Sequence, residues 1–400
     1  MSAKKIVVLG ASGFVGTMLV ERLSARPGVG LIPVIHSAGS AWRLARRTGD
    51  LVQVDILDRQ AVARVLRGAT HVVNCTRGPR DVMLGGLQHV IDECRAQGVA
   101  RFVHLSSVMV YGDPPKPDSA TEDGRTDPPP GTESYGMIKF EQDTMVEAAA
   151  KTGLPSVVLC PPNISGPYSG YVAGILGALR SGGLALLDDG AGPCNLVDVR
   201  NLCHAIELAI EVEGEATNGK RIFVTDGEDT TWRDVVTELL GLAGASIVPS
   251  IERADLQRLA GGGGTAKPVR IGAALKHLVS SDVRAALRKD PILEKMDKSL
   301  RGLVRRLGPG LETKLRIGIE GPVAVPRPNP FASLTVGLCL QQLRSVRHSS
   351  ARATQALRYV PPVSFRNSMA DFREWYGVMH GIDGAYWSIA KHLYGRDVPL

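Results

Sequence analysis

Short apolar runs alternate with stretches of helical period through the first 165 residues. Ile6-Val7-Val8-Leu9 is apolar and largely β-branched at every position, as in a strand buried on both faces. Thr17 to Leu23 then shows helical period. Leu31 to Ile35, His71 to Cys75, Arg101 to Leu105 and Val157 to Cys160 are further strand-like runs. The alternation predicts an α/β fold, a doubly wound parallel sheet over residues 1–165. Residues 166–190 leave that lobe, and 193–226 return to it: Leu196 to Glu211 as a strand and helix, Arg221 to Val224 as a short strand. The rest of 166–400 reads as a smaller, mainly C-terminal substrate-binding lobe. Gly261 to Gly264 interrupts it.

Glycines punctuate the first strand–helix junction as Gly10-Ala11-Ser12-Gly13-Phe14-Val15-Gly16. Glycine removes the Cβ that would block close approach of the backbone. The free N–H groups of a helix start favour an anion. Strand, tight turn and helix start together predict a pyrophosphate site, with Gly10, Ser12, Gly13, Phe14, Val15 and Gly16 around a dinucleotide.

Tyr135 and Lys139 stand one helical turn apart, on one helix face. A phenol with an ordinary pKa near ~10 is a poor base at neutral pH. A nearby ammonium favours the phenolate, and a fall of about 3 units corresponds to roughly 4 kcal/mol of differential stabilisation. The pair predicts proton removal by Tyr135, with Lys139 tuning it and holding the cofactor ribose. Alone, Tyr-x-x-x-Lys also fits a packed Tyr beside a solvated Lys.

The GxxGxxG spacing and the downstream order resemble the short-chain dehydrogenase/reductase superfamily, in its extended epimerase/dehydratase-like branch. The resemblance covers residues 5–240 and 350–376. Arg101 to Gly112 is similar to the strand that carries a catalytic Ser or Thr four residues before Tyr-Gly, which selects Ser107, with Ser106 as the neighbour to test next. Ser107 then polarises the substrate oxygen. Asp55 and Ile56 match the segment where an Asp approaches adenine, although Asp55 is equally placed for a helix N-cap. Asn74, Cys75 and Thr76 match the strand end lining the cofactor cleft. The resemblance puts Pro161 near nicotinamide and Asn163 and Val108 at the substrate. It puts Cys194 where relatives carry an Arg that grips a diphosphate, with Arg200 or a distal arginine as a substitute. The closing segment matches at Ser350 to Pro362, where Arg358 replaces the usual glycine of Leu-Gly-Tyr-x-Pro.

The cofactor is NAD or NADP. The second strand ends in His36 and Ser37, with no acid for a ribose diol. Arg43, Arg46 and Arg47 follow, either meeting a 2′-phosphate, which tilts the choice towards NADP, or forming a solvated helix face. The 4,6-dehydratases of the family place Asp-Glu after the catalytic Thr; Val108 and Met109 stand there, so dehydration is not expected.

Composition narrows the picture. The chain has 400 residues, 44% hydrophobic, enough for a sizeable core. Six scattered cysteines without a CxxC argue for reduced thiols in a cytoplasmic protein, and no histidine spacing marks a metal site. No leader is expected before the first strand, and no apolar run is long enough to span a bilayer. The net charge of +7 is concentrated in a helix-rich, basic segment at about 265–345. That segment either packs with its Lys and Arg solvated or touches an anionic membrane surface. No motif supports nucleic-acid binding.

These features together lead to an NAD(P)-dependent oxidoreductase or epimerase, active at a secondary alcohol or ketone. By resemblance it is a homodimer whose substrate is a nucleotide sugar or glycan precursor. The alternatives are a hydroxysteroid- or lipid-type dehydrogenase and a non-catalytic dinucleotide-binding subunit.

Overall fold

The computed structural model describes residues 4–47, 51–212, 214–261 and 334–380. The chain divides into two compact units, Met1–Arg253 with Leu334–Leu400, and Ala254–Ser333. Of the second unit, only the part of one helix up to Gly261 is described. The basic stretch from 265 to 333 lies outside the described residues.

In the first unit the strands are β1 (Lys4–Leu9), β2 (Val29–Ile35), β3 (Val52–Gln53), β4 (His71–Asn74), β5 (Arg101–Leu105), β6 (Ser156–Cys160), β7 (Asn163–Ser165), β8 (Leu186–Leu187), β9 (Leu196–Asp198), β10 (Lys220–Phe223) and β11 (Ser250–Ile251). Seven form a parallel sheet in the order β10-β6-β5-β4-β1-β2-β3. The order reverses between β1 and β4, which opens a crevice at their carboxyl ends.

The uninterrupted apolar runs are explained by cover on both faces. In β1, Ile6 and Val8 point to one layer, with Leu19 and Val20 of α1 (Phe14–Ser24). Val7 and Leu9 point to the other, with Val62 of α2 (Arg59–Leu66), Val90 of α3 (Leu87–Ala96) and Val146 of α4 (Tyr135–Lys151).

The return after residue 193 differs from the sequence expectation in one element. β9 does not join the main sheet; it pairs in parallel with β7, Asn163 opposite Leu196. Asp198 ends it by accepting the Arg200 N–H and capping the helix Val199–Glu211, while β10 takes the sheet edge beside β6. That helix packs over the main sheet through Leu202, Cys203 and Ile206.

Past residue 333, Gln342 is buried, donating to Ala185 O at 2.7 Å and accepting from Leu187 N at 2.8 Å. This pins residues 341–348 beside β8. The helix Ala351–Leu357 ends at Arg358, in the left-handed region at φ 57°. Tyr359 is fully buried and donates to Thr225 O at 2.9 Å.

Candidate active site at the crevice of the parallel sheet

The glycine turn fits a dinucleotide. Gly10 has φ +75°, and a Cβ there would stand 2.7 Å from Cys75 O; one at Gly16 would stand 2.2 Å from Gly10 O. The turn is therefore as tight as an all-backbone cradle requires. Gly13 caps α1 without a side chain, leaving the helix start free for an anion. Phe14 and Val15 form its first turn, and the Ser12 and Ser40 hydroxyls lie 3.0 Å apart. Across the crevice, Asn74 Oδ1 accepts the Thr76 N–H at 3.2 Å and the Thr76 hydroxyl at 2.7 Å. Cys75 N donates to Leu9 O at 3.0 Å.

Tyr135 opens α4, because Ser134 caps the helix by accepting from Met137 N at 3.3 Å. Its ring is 37% exposed. Ser107 lines the same cavity as Tyr135, whereas Ser106 is buried and donates to Asp143 Oδ2 at 2.8 Å. The structure thus brings Ser107, not Ser106, to Tyr135.

Lys139 is 4% exposed, and its ammonium donates to Leu105 O at 2.7 Å. Its Nζ lies 6.0 Å from the Tyr135 ring centroid. Burial lowers its pKa to about 8, with Asp143 the main opposing influence. A second cation, Arg77, also stands near the phenol. Burial raises the pKa of Tyr135, and the strongest downward pull on it comes from Arg77, followed by the Ser107 hydrogen bond. The Arg77 Cζ lies 5.2 Å from the Tyr135 ring centroid. Both cations thus lie near the phenol ring, Arg77 the nearer of the two.

Beneath the phenol lies a buried polar layer that the sequence pattern does not mark. Asp143, one turn after Lys139, meets Arg221 of β10 at 2.8 Å. Burial pushes its carboxyl up to about 6 against Arg221 and Ser106. His104 is fully buried, with its Nδ1 3.1 Å from Asn74 Nδ2, and burial holds it neutral.

A cavity of about 550 Å³ opens from Ser107 and Tyr135. Val108, Asn163 and Cys194 line it, joined by Met109 and by Tyr171, Trp232, Arg344 and His348, which sequence reasoning did not place at the substrate. Pro161, also expected at the nicotinamide, is buried and accepts from Val108 N at 3.1 Å. Cys194 is buried, and its Sγ lies 3.9 Å from the Tyr171 hydroxyl. Arg200 does not replace a diphosphate clamp: it is bonded to Asp198 at 2.8 Å and to Asp371. The distal arginine in the cavity is Arg344, held by both oxygens of Asp113 at 2.7 and 2.9 Å. A larger groove of about 930 Å³ along β10 has none of Ser107, Tyr135 or Lys139 in its lining.

At the adenosine end, His36 is exposed where β2 ends. Arg43 does not present a free guanidinium to a 2′-phosphate. Its Cζ lies 5.6 Å from the Trp42 ring centroid and 5.1 Å from that of Tyr168, and burial lowers its pKa. The side chains of Arg46 and Arg47 lie outside the described residues. Asp55 is exposed and accepts the Leu57 N–H at 3.0 Å, while the cap of α2 is Asp58. Ile56 is buried.

The chain is similar to several known proteins. A 2-alkyl-3-oxoalkanoate reductase of Stenotrophomonas maltophilia is 28% identical over 62% of this chain and 78% of its own. A decarboxylating sterol-4-alpha-carboxylate 3-dehydrogenase of Mus musculus is 27% identical over 60% of this chain and 68% of its own. The crystal structure of a dTDP-glucose 4,6-dehydratase from Bacillus anthracis, in complex with NAD, superposes with a TM-score of 0.62 at 16% identity, over 94% of this chain and 98% of that one. No helix among the described residues is long and apolar enough to cross a membrane. Residues 6–224 match the NAD dependent epimerase/dehydratase family, and the chain belongs to that family.

Proposed function

We propose that this chain interconverts a secondary alcohol and a ketone with NAD or NADP. The observation that carries the reading is the meeting of Ser107 and Tyr135 in one cavity that Phe14 of the glycine turn also lines, with the buried Lys139 ammonium 6.0 Å from the Tyr135 ring centroid. The dinucleotide supplies or accepts the hydride. Ser107 donates to the reacting oxygen and Tyr135 takes or returns its proton. Lys139 lies behind the phenol on the same helix face. An epimerase returns the hydride to the opposite face of the transient ketone. Val108 and Met109 carry no proton-transferring group, which keeps 4,6-dehydration outside the reading. With the Arg43 guanidinium against the Trp42 and Tyr168 rings, no cation among the described side chains commits the ribose to either cofactor, so consumption of NADH and NADPH should be compared directly.

Of the substrate classes, a nucleotide sugar needs a cation for its diphosphate. Cys194 is buried and Arg344 is occupied by Asp113, so that end of the cavity favours the alternative, a lipid- or acid-type hydroxy or oxo compound. The reductase and dehydrogenase relatives act on substrates of that kind.

Tyr135→Phe should lower turnover of the identified substrate by about 10²–10⁴-fold. Unchanged turnover would refute the assignment of the base. A homodimer through helices of the nucleotide-binding lobe belongs to the same proposal and is checked by light scattering.

A further inference from the structure

We infer that Arg77 is an anion-binding residue of the reaction centre, and that it selects substrates bearing a carboxylate close to the reacting carbon, as in a 3-oxo or 3-hydroxy acid. The inference rests on the hydride-transfer reading above and adds the substrate class.

Four observations carry it. Arg77 lines the cavity next to Ser107 and Tyr135, with its guanidinium 5.2 Å from the phenol ring centroid. The turn that presents it is fixed: Asn74 holds both polar groups of Thr76, and the Cys75 carbonyl packs against Gly10. Among the described residues no carboxylate pairs with Arg77. Arg80, three residues on, shows the ordinary outcome, bonded to Glu141 at 2.6 Å and to Thr132 O at 2.7 Å. Finally, the other guanidinium in the cavity, Arg344, already has Asp113, and His348 is held neutral by burial.

A guanidinium is a planar two-donor fork matched to a carboxylate. Facing the phenol without a protein anion, Arg77 is positioned to receive one from the substrate. With the guanidinium carbon 5.2 Å from the phenol ring centroid, an anion held by Arg77 lies close to the carbon that reacts beside Tyr135. In the reductive direction, hydride adds to the ketone carbon, the proton passes from Tyr135 to the ketone oxygen, and the carboxylate at Arg77 is unchanged. Bound there, the anion also orients the ketone.

The test uses a complex that cannot turn over: the full chain with saturating NADH or NADPH and an alcohol. Calorimetry compares 3-hydroxydecanoate with its methyl ester for the wild type, Arg77→Gln and Arg77→Lys. The wild type should bind the acid at least tenfold tighter than the ester. Arg77→Gln should bring that ratio close to one, and Arg77→Lys should retain part of it. The inference is overturned if the wild type binds both alike or neither, or if Arg77→Gln keeps the preference. Such a failure leaves hydride transfer standing, because that reading falls only with an active Tyr135→Phe.

Discussion

Gly16 illustrates how strictly single positions are set. A methyl group there would stand 2.2 Å from the Gly10 carbonyl, which is backbone and has no room to yield. Gly16→Ala should lower stability by about 1–3 kcal/mol and weaken dinucleotide binding, measured by urea unfolding and cofactor titration. Arg358 is the opposite case. The helix before it ends with this residue at φ 57°, a conformation costly for any residue with a Cβ. Its side chain is exposed. Arg358→Gly should therefore raise stability by about 1 kcal/mol, read as a higher urea midpoint. The Gly turn and the Tyr/Lys spacing were legible because they are local. Arg77 lies only two residues beyond the cleft-lining Cys75, yet nothing in its neighbours marks it, since its partner is a ring 58 positions away that only folding brings near.

At the scale of elements, the position of the Tyr135 phenol is a capping effect. Ser134 accepts the Met137 N–H and donates to Pro129 O at 2.6 Å, so α4 begins at Tyr135 and the proline-rich loop is tied to its start. Lys139 then falls one turn later, on the buried face. Ser134→Ala should cost about 1 kcal/mol and should loosen Tyr135, seen as a lower unfolding midpoint with a fall in kcat. The same helix carries Asp143 to Arg221, which ties β10 to the layer under the site. The sequence placed Tyr135 and Lys139 one helical turn apart and a short strand at Arg221 to Val224, but not this link, because a buried ion pair leaves no periodic trace in either segment. β9 was misplaced for a related reason: a strand of only three residues, two of them apolar, fits the edge of either sheet, and the Asp198 cap decided where the strand stops.

Across the first unit as a whole, the C-terminal segment is sewn to the sheet through buried polar groups. Asn201 bonds Val363 by both its backbone N–H and its carbonyl, at 2.9 and 2.7 Å, and also donates to Asp226 at 2.6 Å. Asp226 is buried with one carboxyl oxygen unpartnered, and burial, with Asp198 and Glu228 nearby, raises its pKa to about 7. The folded chain therefore holds a proton there that the unfolded chain releases near the ordinary carboxylate pKa. Stability from this group is fully present below about pH 4 and is lost as pH rises through about 7. Asp226→Asn keeps the acceptor for Asp198 and Asn201 and carries no charge. It should flatten the fall in stability between pH 5 and pH 8, so that the variant gains on the wild type at the higher pH in urea unfolding.

The sequence alone determined what proximity along the chain controls: buried strands from unbroken apolar runs, the glycine cradle from a three-glycine spacing, and the Ser-Tyr-Lys order from motif and helical turn. Tertiary structure decided everything that depends on which distant segment supplies the partner. Arg43 went to the Trp42 and Tyr168 rings, Arg200 to Asp198 and Asp371, and Arg344 to Asp113 across 231 positions. Arg77 was left facing the phenol. An arginine carries the same charge in every context, and its role is fixed by whether packing places a carboxylate, a ring or an open cavity in front of it.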